Sequence, residues 1–355
     1  MWGSPEVALS ELRVIAVLAT AVTGREVVPL EDGIGALAKA DIIFAGLNGP
    51  RGETAHLLSV HRSHAVCIWF AYENLDGYPG IGYGDFADQL IDAVDISLGQ
   101  ARYVLSPDVA ADARTPPGAV AASLAVAAPN FVRTPWWLPY ALEPGRCALH
   151  PSLYARGDAA AWAARPGFAA QLAKHAPYPR TDLFANFSAL AAELNAAGAA
   201  GRADRRVDAP GIAFHNMEWP GGPNSHLAGK IEFVANYRFN IQPENSRSAG
   251  RGYNTEKMPQ AHMAGAVPVW WGDPIDDEVF NPARVLVLRD AGGGDLDMAA
   301  LVARARELET DAAAREAFFA QPILAPTAND YMERWCSRTS ALLKKALEGK
   351  VAPAR

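Results

Sequence analysis

Between Glu244 and Pro274 the chain reads ENSRSAGRGYNTEKMPQAHMAGAVPVWWGDP: a Glu244-Asn245 pair, a glycine-broken basic loop, a Thr255-Glu256-Lys257 triplet and a Gly-Asp-Pro turn. A lysine beside a carboxylate, after a flexible loop and before an apolar run, suits an anion. A helix start offers unpaired N–H groups and a partial positive charge, to which Lys257 adds a full one. Lys257 would neutralise a phosphate, leaving Glu256 to meet a sugar hydroxyl or a developing cation. Glu244 and Asn245 suit a ribose or base, because diol recognition favours a carboxylate and an amide. By residue type alone, a Glu-Lys pair is also an ordinary solvated helix start.

The elements around the segment must position these groups. KIEFVANYRFNIQ reads as an apolar, aromatic strand leading into the loop, and AVPVWWG as a buried strand after it. Between them TEKMPQAHMAG has helix character: Thr255 can cap, Glu256 suits the N-terminal end, Pro259 falls near the first turn and Gly265 can close the helix. A loop at the carboxyl end of a strand in an α/β sheet is where such sheets bind ligands. Upstream, ADIIFAGL, HAVCIWFAYEN and AVDISLGQARYVL predict strands, with GALAKA, ETAHLLSVHRS and GDFADQLIDAVD as helices between them. That alternation predicts a parallel, Rossmann-like sheet. FAAQLAKHA and LFANFSALAAELNAAG keep apolar residues at helical spacing, and Val207–His226 reads as an irregular surface loop. ELRVIAVLATAV lacks a basic leader and is read as a strand or short core element.

A chain of 355 residues exceeds what one core usually serves. The expected division is 1–160, 161–329 and a helical tail over 330–355. A net charge of −7 with no concentrated basic face excludes broad nucleic-acid binding. Cys67, Cys147 and Cys336 are odd in number and far apart, so their spacing encodes neither a disulfide framework nor a zinc site. This suits a reducing cytoplasm. His56, His61 and His64 match no metal-ligand spacing. The tail YMERWCSRTSALLKKALEGK reads as an amphipathic helix, with Lys344, Lys345 and Lys350 offering at most a peripheral contact at the inner membrane.

The stretch YRFNIQPENSRSAGRGYNTEKMPQAHMAGAVPVWWGDP resembles the donor-binding segment of bacterial-type α-1,3/4-fucosyltransferases, glycosyltransferase family 10. There an aromatic-rich strand precedes Glu-Asn-Ser, a Tyr-x-Thr-Glu-Lys helix start and a Pro-apolar-aromatic-Gly turn. Tyr237, Phe239, Glu244, Asn245, Ser246, Tyr253, Thr255, Glu256, Lys257, Ala264, Gly265, Pro268, Trp271 and Gly272 fall in register. FAYEN resembles the strand end that carries the family's catalytic base, which points to Glu73. YPRTDLFANFSAL resembles the helix whose arginine contacts the donor phosphates, which points to Arg180. Pro243, Asn254, Arg247 and Arg251 depart from the family pattern.

The resemblance implies the GT-B architecture, two Rossmann-like α/β domains facing across a cleft. It also implies inverting transfer of L-fucose from GDP-β-L-fucose to a hydroxyl of a GlcNAc, LacNAc or glucose acceptor on an oligosaccharide or glycolipid, giving an α-1,3 or α-1,4 fucoside. In that scheme Glu73 and Glu256 are catalytic, and Arg180, Lys257, Tyr253, Glu244, Asn245 and Thr255 bind the donor. No Asp-x-Asp motif sits where a metal-dependent donor site would want one, so neither an essential metal nor another cofactor is expected. A GT-B transferase of another GDP-sugar, or an inactive nucleotide-sugar-binding protein, are the alternative readings.

Overall fold

The computed structural model describes residues 19–24, 40–46, 56, 58–71, 94–99, 130–198, 204–219, 229–245, 247, 253–292 and 295–350. The three short apolar runs predicted as strands become strands: β1 (Ile42–Gly46), β2 (Val66–Ala71) and β3 (Ile96–Gly99). With β4 (Phe131–Arg133) they form a parallel sheet in the order β1-β2-β3-β4, pairing Ile68 with Ile96 and Leu98 with Val132. Val66, Ile68, Trp69, Phe70, Ile96 and Leu98 are all buried, as both-face coverage of a parallel sheet requires. Residues 19–22, the end of the ELRVIAVLATAV segment, are helical with Ala19 buried, so the strand reading fails there and the core-element reading does not. A short helix α1 (Leu138–Ala141) follows β4 and buries Leu138, Pro139 and Ala141.

The second sheet runs β6-β5-β7-β8-β9, all parallel, from β5 (Gly167–Gln171), β6 (Val207–Asp208), β7 (Tyr237–Ile241), β8 (Val267–Trp270) and β9 (Leu286–Val287). The helices of this unit are α2 (Ala159–Ala164), α3 (Arg180–Ala196), α4 (Lys230–Val234), α5 (Lys257–Met263), α6 (Met298–Thr310) and α7 (Ala312–Ala320). Counted within the unit, the strand order is second, first, third, fourth, fifth. The connections therefore reverse direction between β5 and β7, and a doubly wound sheet binds ligands at that reversal. The core gathers Trp162, Phe168, Phe187 and Phe239 with Leu183, Leu190, Val269 and Leu308.

Three local readings change. FAAQLAKHA is not helical: Gly167–Gln171 is β5, bonded to both β6 and β7. Alanine favours helix, but Phe168, Ala169 and Ala170 are fully enclosed, and burial between two strands overrides a propensity of a few tenths of a kcal/mol. A Cβ at Gly167 would sit 2.3 Å from the Tyr237 ring, so only glycine fits there. KIEFVANYRFNIQ splits in two, because Lys230, Phe233 and Val234 share the buried face of α4 before β7 begins at Tyr237. The helical period ran unbroken into the strand's apolar run and was masked by it. Val207–Asp208, read as the start of a loop, pairs with β5 as β6.

LFANFSALAAELNAAG is helical within α3, which closes at Gly198 with φ +61°. Likewise α5 closes at Gly265 with φ +68°, a backbone state that costs glycine nothing. The amphipathic tail forms α8 (Ala328–Lys350), and no described helix is long and apolar enough to cross a membrane. On α8 Cys336 is bonded to Cys147, so the expectation of unpaired cysteines is overturned for these two, and Cys67 alone stays a buried thiol. A separation of 189 residues hid the pair from any reading of local spacing. The chain divides into one unit of 1–149, 246–255 and 329–355 and another of 150–245 and 256–328. The tail helix is grouped with the first unit, and the first change of unit along the chain falls at 149/150.

Candidate functional site

At the carboxyl end of β7 the backbone continues straight past the sheet: Gln242 N donates to Val269 O (2.9 Å) and Glu244 N to Trp271 O (2.7 Å). These bonds extend the β7-β8 ladder and fix the direction of the Glu244 side chain. Gly272 lies beneath it. A Cβ there would stand 2.9 Å from both Glu244 Cγ and Trp270 Cζ2, so the glycine of the Gly-Asp-Pro turn is needed for close approach. The Glu244 carboxylate is fully enclosed, and its Oε2 accepts from Lys257 Nζ at 2.7 Å. Burial pushes the Lys257 ammonium down, but Glu244 and then Glu256 outweigh it, and its pKa lies above the ordinary lysine value.

Asn245, the next residue, receives the other cation. Arg180 Nη2 donates to Asn245 Oδ1 (2.6 Å) and to Pro243 O (3.3 Å), while Arg180 Nη1 donates to His175 O (3.1 Å). Arg180 opens α3, the helix after β5, and Gln171 Nε2 at the end of β5 donates to its carbonyl (3.2 Å). Because β5 and β7 are neighbours, the residues that follow them meet at the reversal point of the sheet. Arg180 and Lys257 are near enough for their charges to interact, Arg180 pushing the lysine down.

Glu256 precedes the first residue of α5 and makes no side-chain capping bond there. Its Oε1 instead lies 3.4 Å from Lys230 Nζ, at the start of α4. Lys230 is nearly buried; desolvation pushes its pKa down, Glu256 pulls it up, and the net direction is down. Two lysines and two glutamates thus form a compact, neutral quartet, with Arg180 beside it. Sequence reasoning missed Lys230, because a lysine at the head of an apparent strand carries no signal of its partner. At the other end of α5, Arg165 Nη2 donates to Ala264 O (2.7 Å) and Nη1 to Tyr237 O (2.9 Å), anchoring helix to sheet.

The remaining candidates belong to the first unit. Tyr253 is buried beside Trp136, their ring centroids 6.1 Å apart, and Thr255 is fully buried. Trp137 N donates to Asn254 O at 3.2 Å, tying this strand of chain to the WWLPY run. Glu73, the candidate base, lies outside the described residues, as do Ser246 and Arg251. Of the DLD run, Asp297 accepts from Ala300 N and caps α6, a structural task. Among the described residues no cluster of three or more His, Cys, Asp or Glu side chains could hold a metal.

No protein-family model matches the chain. A curated relative, an α-(1,3)-fucosyltransferase of Helicobacter pylori, is 35% identical over 65 residues, which is 18% of this chain and 13% of that protein. A crystal structure of an α1,3-fucosyltransferase superimposes with a TM-score of 0.53 at 18% identity, covering 98% of this chain and 88% of that one. Another, of an α1,3-fucosyltransferase with GDP, gives a TM-score of 0.50 at the same identity and coverage. At this identity the structures establish the fold: the α/β, GT-B class expected from the sequence is the one found. The resemblance carried by the donor motif is therefore met twice, over a short stretch of sequence and in the fold of nearly the whole chain.

Proposed function

We propose that this chain is an inverting fucosyltransferase that moves L-fucose from GDP-β-L-fucose to a hydroxyl of a GlcNAc, LacNAc or glucose acceptor on an oligosaccharide or glycolipid. One observation carries the reading. Arg180 and Lys257 come from different elements yet are tethered to the consecutive residues Asn245 and Glu244, at the reversal point of the second sheet. A diphosphate needs two cations held a short distance apart, and this tether fixes both before any ligand arrives, which is the preorganisation that transition-state charge stabilisation requires. With two fixed cations the site has no need of a metal to neutralise the departing diphosphate, and none is expected to be essential. The match to a fucosyltransferase and the fold shared with a GDP-bound one support guanosine diphosphate as the leaving group.

In the proposed reaction the acceptor oxygen attacks the anomeric carbon of fucose as the bond to the diphosphate breaks on the opposite face. The acceptor proton passes to Glu73, assigned by resemblance, as general base. Lys257 and Arg180 meet the charge growing on the diphosphate, and Glu256 faces the oxocarbenium-like ring. Tyr253, Thr255, Glu244 and Asn245 complete the donor site. Glu244 and Asn245 do so in the first place by holding Lys257 and Arg180, with any guanosine contact made from that same position.

The test is incubation of the protein with GDP-fucose and N-acetyllactosamine, lactose or N-acetylglucosamine, following GDP release and the stereochemistry of the product. Release of GDP with an α-fucosylated product is the expected result. Binding of GDP without release on any acceptor would leave a nucleotide-sugar-binding protein. Faster turnover of a different GDP-sugar would replace fucose in the assignment.

A further inference from the structure

Lys230 is the one member of the charged quartet that neither the motif nor the proposed reaction uses. It opens α4 directly after Gly229, whose φ of +78° turns the chain into the helix, and the helix packs on α5. Its side chain is 11% exposed and that of Glu256 13%, so their ion pair at 3.4 Å is largely withdrawn from water. Burying an ammonium is costly, and it persists where a carboxylate answers it. Glu256 lies near Lys257, already bonded to Glu244, and near Lys230, which is paired with Glu256 itself. When a diphosphate also draws on Lys257, Lys230 still answers Glu256.

Resting on the fucosyl-transfer reading, we propose that Lys230 is a positioning residue: its ammonium holds the Glu256 carboxylate ionised and fixed beside the fucosyl ring while Lys257 serves the diphosphate. Several charged groups among the described residues neighbour this pair. Lys257 and His262 lie on α5, Glu232 on α4, and Glu244 and Arg180 bear on the lysines from the ends of β7 and α3. The other elements packed on α5, β8 and the turn Pro151–Leu153, carry no titratable residue, and His150 precedes that turn. Removing Lys230 therefore leaves Glu256 with less positive charge around it, which raises a carboxylate's pKa.

The experiment compares Lys230→Met, Lys230→Arg, Glu256→Gln and the double variant Lys230→Met/Glu256→Gln with the wild type. GDP affinity is read by calorimetry and the pH dependence of kcat from GDP release. Lys230→Met should keep GDP affinity within about threefold, lower kcat about 30-fold and move the acidic limb of the profile up by about one pH unit, with Lys230→Arg restoring both. On the Glu256→Gln background the Met substitution should add less than about twofold, because the residue acts through Glu256. The double variant also replaces a buried ion pair by two neutral side chains, so it stays measurable if Lys230→Met alone unfolds. The role is overturned if GDP and GDP-fucose affinity fall together, if kcat falls with the limb unmoved, or if the effect is as large on Glu256→Gln as on the wild type. A wild type that releases no GDP overturns the transfer reading and this role with it. An active wild type matched by Lys230→Met overturns only the role of Lys230.

Discussion

The two units bury different kinds of residue. Among the described residues, the charged residues buried as a whole, including Arg180, Arg205, Lys230, Arg238, Glu244 and Arg284, lie in the second unit, while in the first the guanidinium nitrogens of Arg133 are withdrawn from water. The first unit buries an aliphatic and aromatic sheet with a few neutral polar groups such as Ser97 and Thr134, and ties its last helix down with the Cys147–Cys336 bridge. A buried charge is tolerated with a partner, and the second unit supplies several: Glu309 for Arg205 and Arg238, Glu244 for Lys257, Glu256 for Lys230, and the rings of Phe318 and Phe319 for Arg284. The lesson is that the second unit is built around fixed charges, a property suited to a polyanionic ligand, while the first is held by apolar packing and a covalent tie.

The strongest test of that contrast is the triad of Glu309 with Arg205 and Arg238, whose side chains are 3%, 6% and 1% exposed. Glu309→Gln keeps the shape and strands two guanidinium groups, so urea unfolding should show a loss of about 3 to 5 kcal/mol with an unchanged m-value. A loss below about 1 kcal/mol would reduce the triad to the value of a surface pair and remove the contrast.

Next in size is Lys257→Met, which should lower kcat/KM about 100- to 1,000-fold, whereas Glu244→Gln, acting through the lysine, should cost roughly tenfold. Steady-state kinetics with GDP-fucose decide the order, and a larger effect at Glu244 would make it a direct donor contact.

Loss of the bridge by Cys336→Ser should destabilise the first unit by about 2 to 4 kcal/mol. Amide exchange should quicken in β1–β4 and remain unchanged in β5–β9; a uniform change would mean the bridge stabilises both units alike.

The smallest effect concerns His262, on α5, stacked on Phe280 at a centroid distance of 6.3 Å. Burial first, and Arg284 second, depress its pKa to about 3. A histidine kept neutral when folded but free to protonate when unfolded contributes stability that is full above its unfolded pKa near 6.5 and is lost as pH falls toward 3. Between pH 6.5 and 5 the loss should reach roughly 2 kcal/mol, and His262→Phe should flatten that slope in denaturation curves taken across the range. An unaltered slope would show that the ring is hydrated when folded.

How far the sequence could be read varied with the physical range of each signal. Gly198 and Gly265 as helix ends, β1, β2, β3 and β8, and the Glu256-Lys257 helix start are local features, settled by neighbours a few positions away. β5 was misread because its alanines speak for helix and only the flanking β6 and β7 speak for strand. α4 was misread because its period merged with that of β7. At the site, Arg180, Glu244, Asn245, Glu256 and Lys257 were legible through the donor motif and its neighbouring helix. Their pairing was not: the motif suggests Glu244 for a ribose, and the fold sets it under Lys257.

By itself the sequence determined the two-sheet α/β class, the likeness to the fucosyltransferases and the residue types of the donor segment, because these depend on pattern and order along the chain. Tertiary structure alone decided which charges neutralise one another. Lys230 and Glu256 are 26 residues apart, Cys147 and Cys336 are 189 apart, and Arg180 and Asn245 are 65 apart. No periodicity connects such distances; for Arg180 and Asn245 parallel strand pairing does, by bringing the residues after β5 and β7 to one end of the sheet.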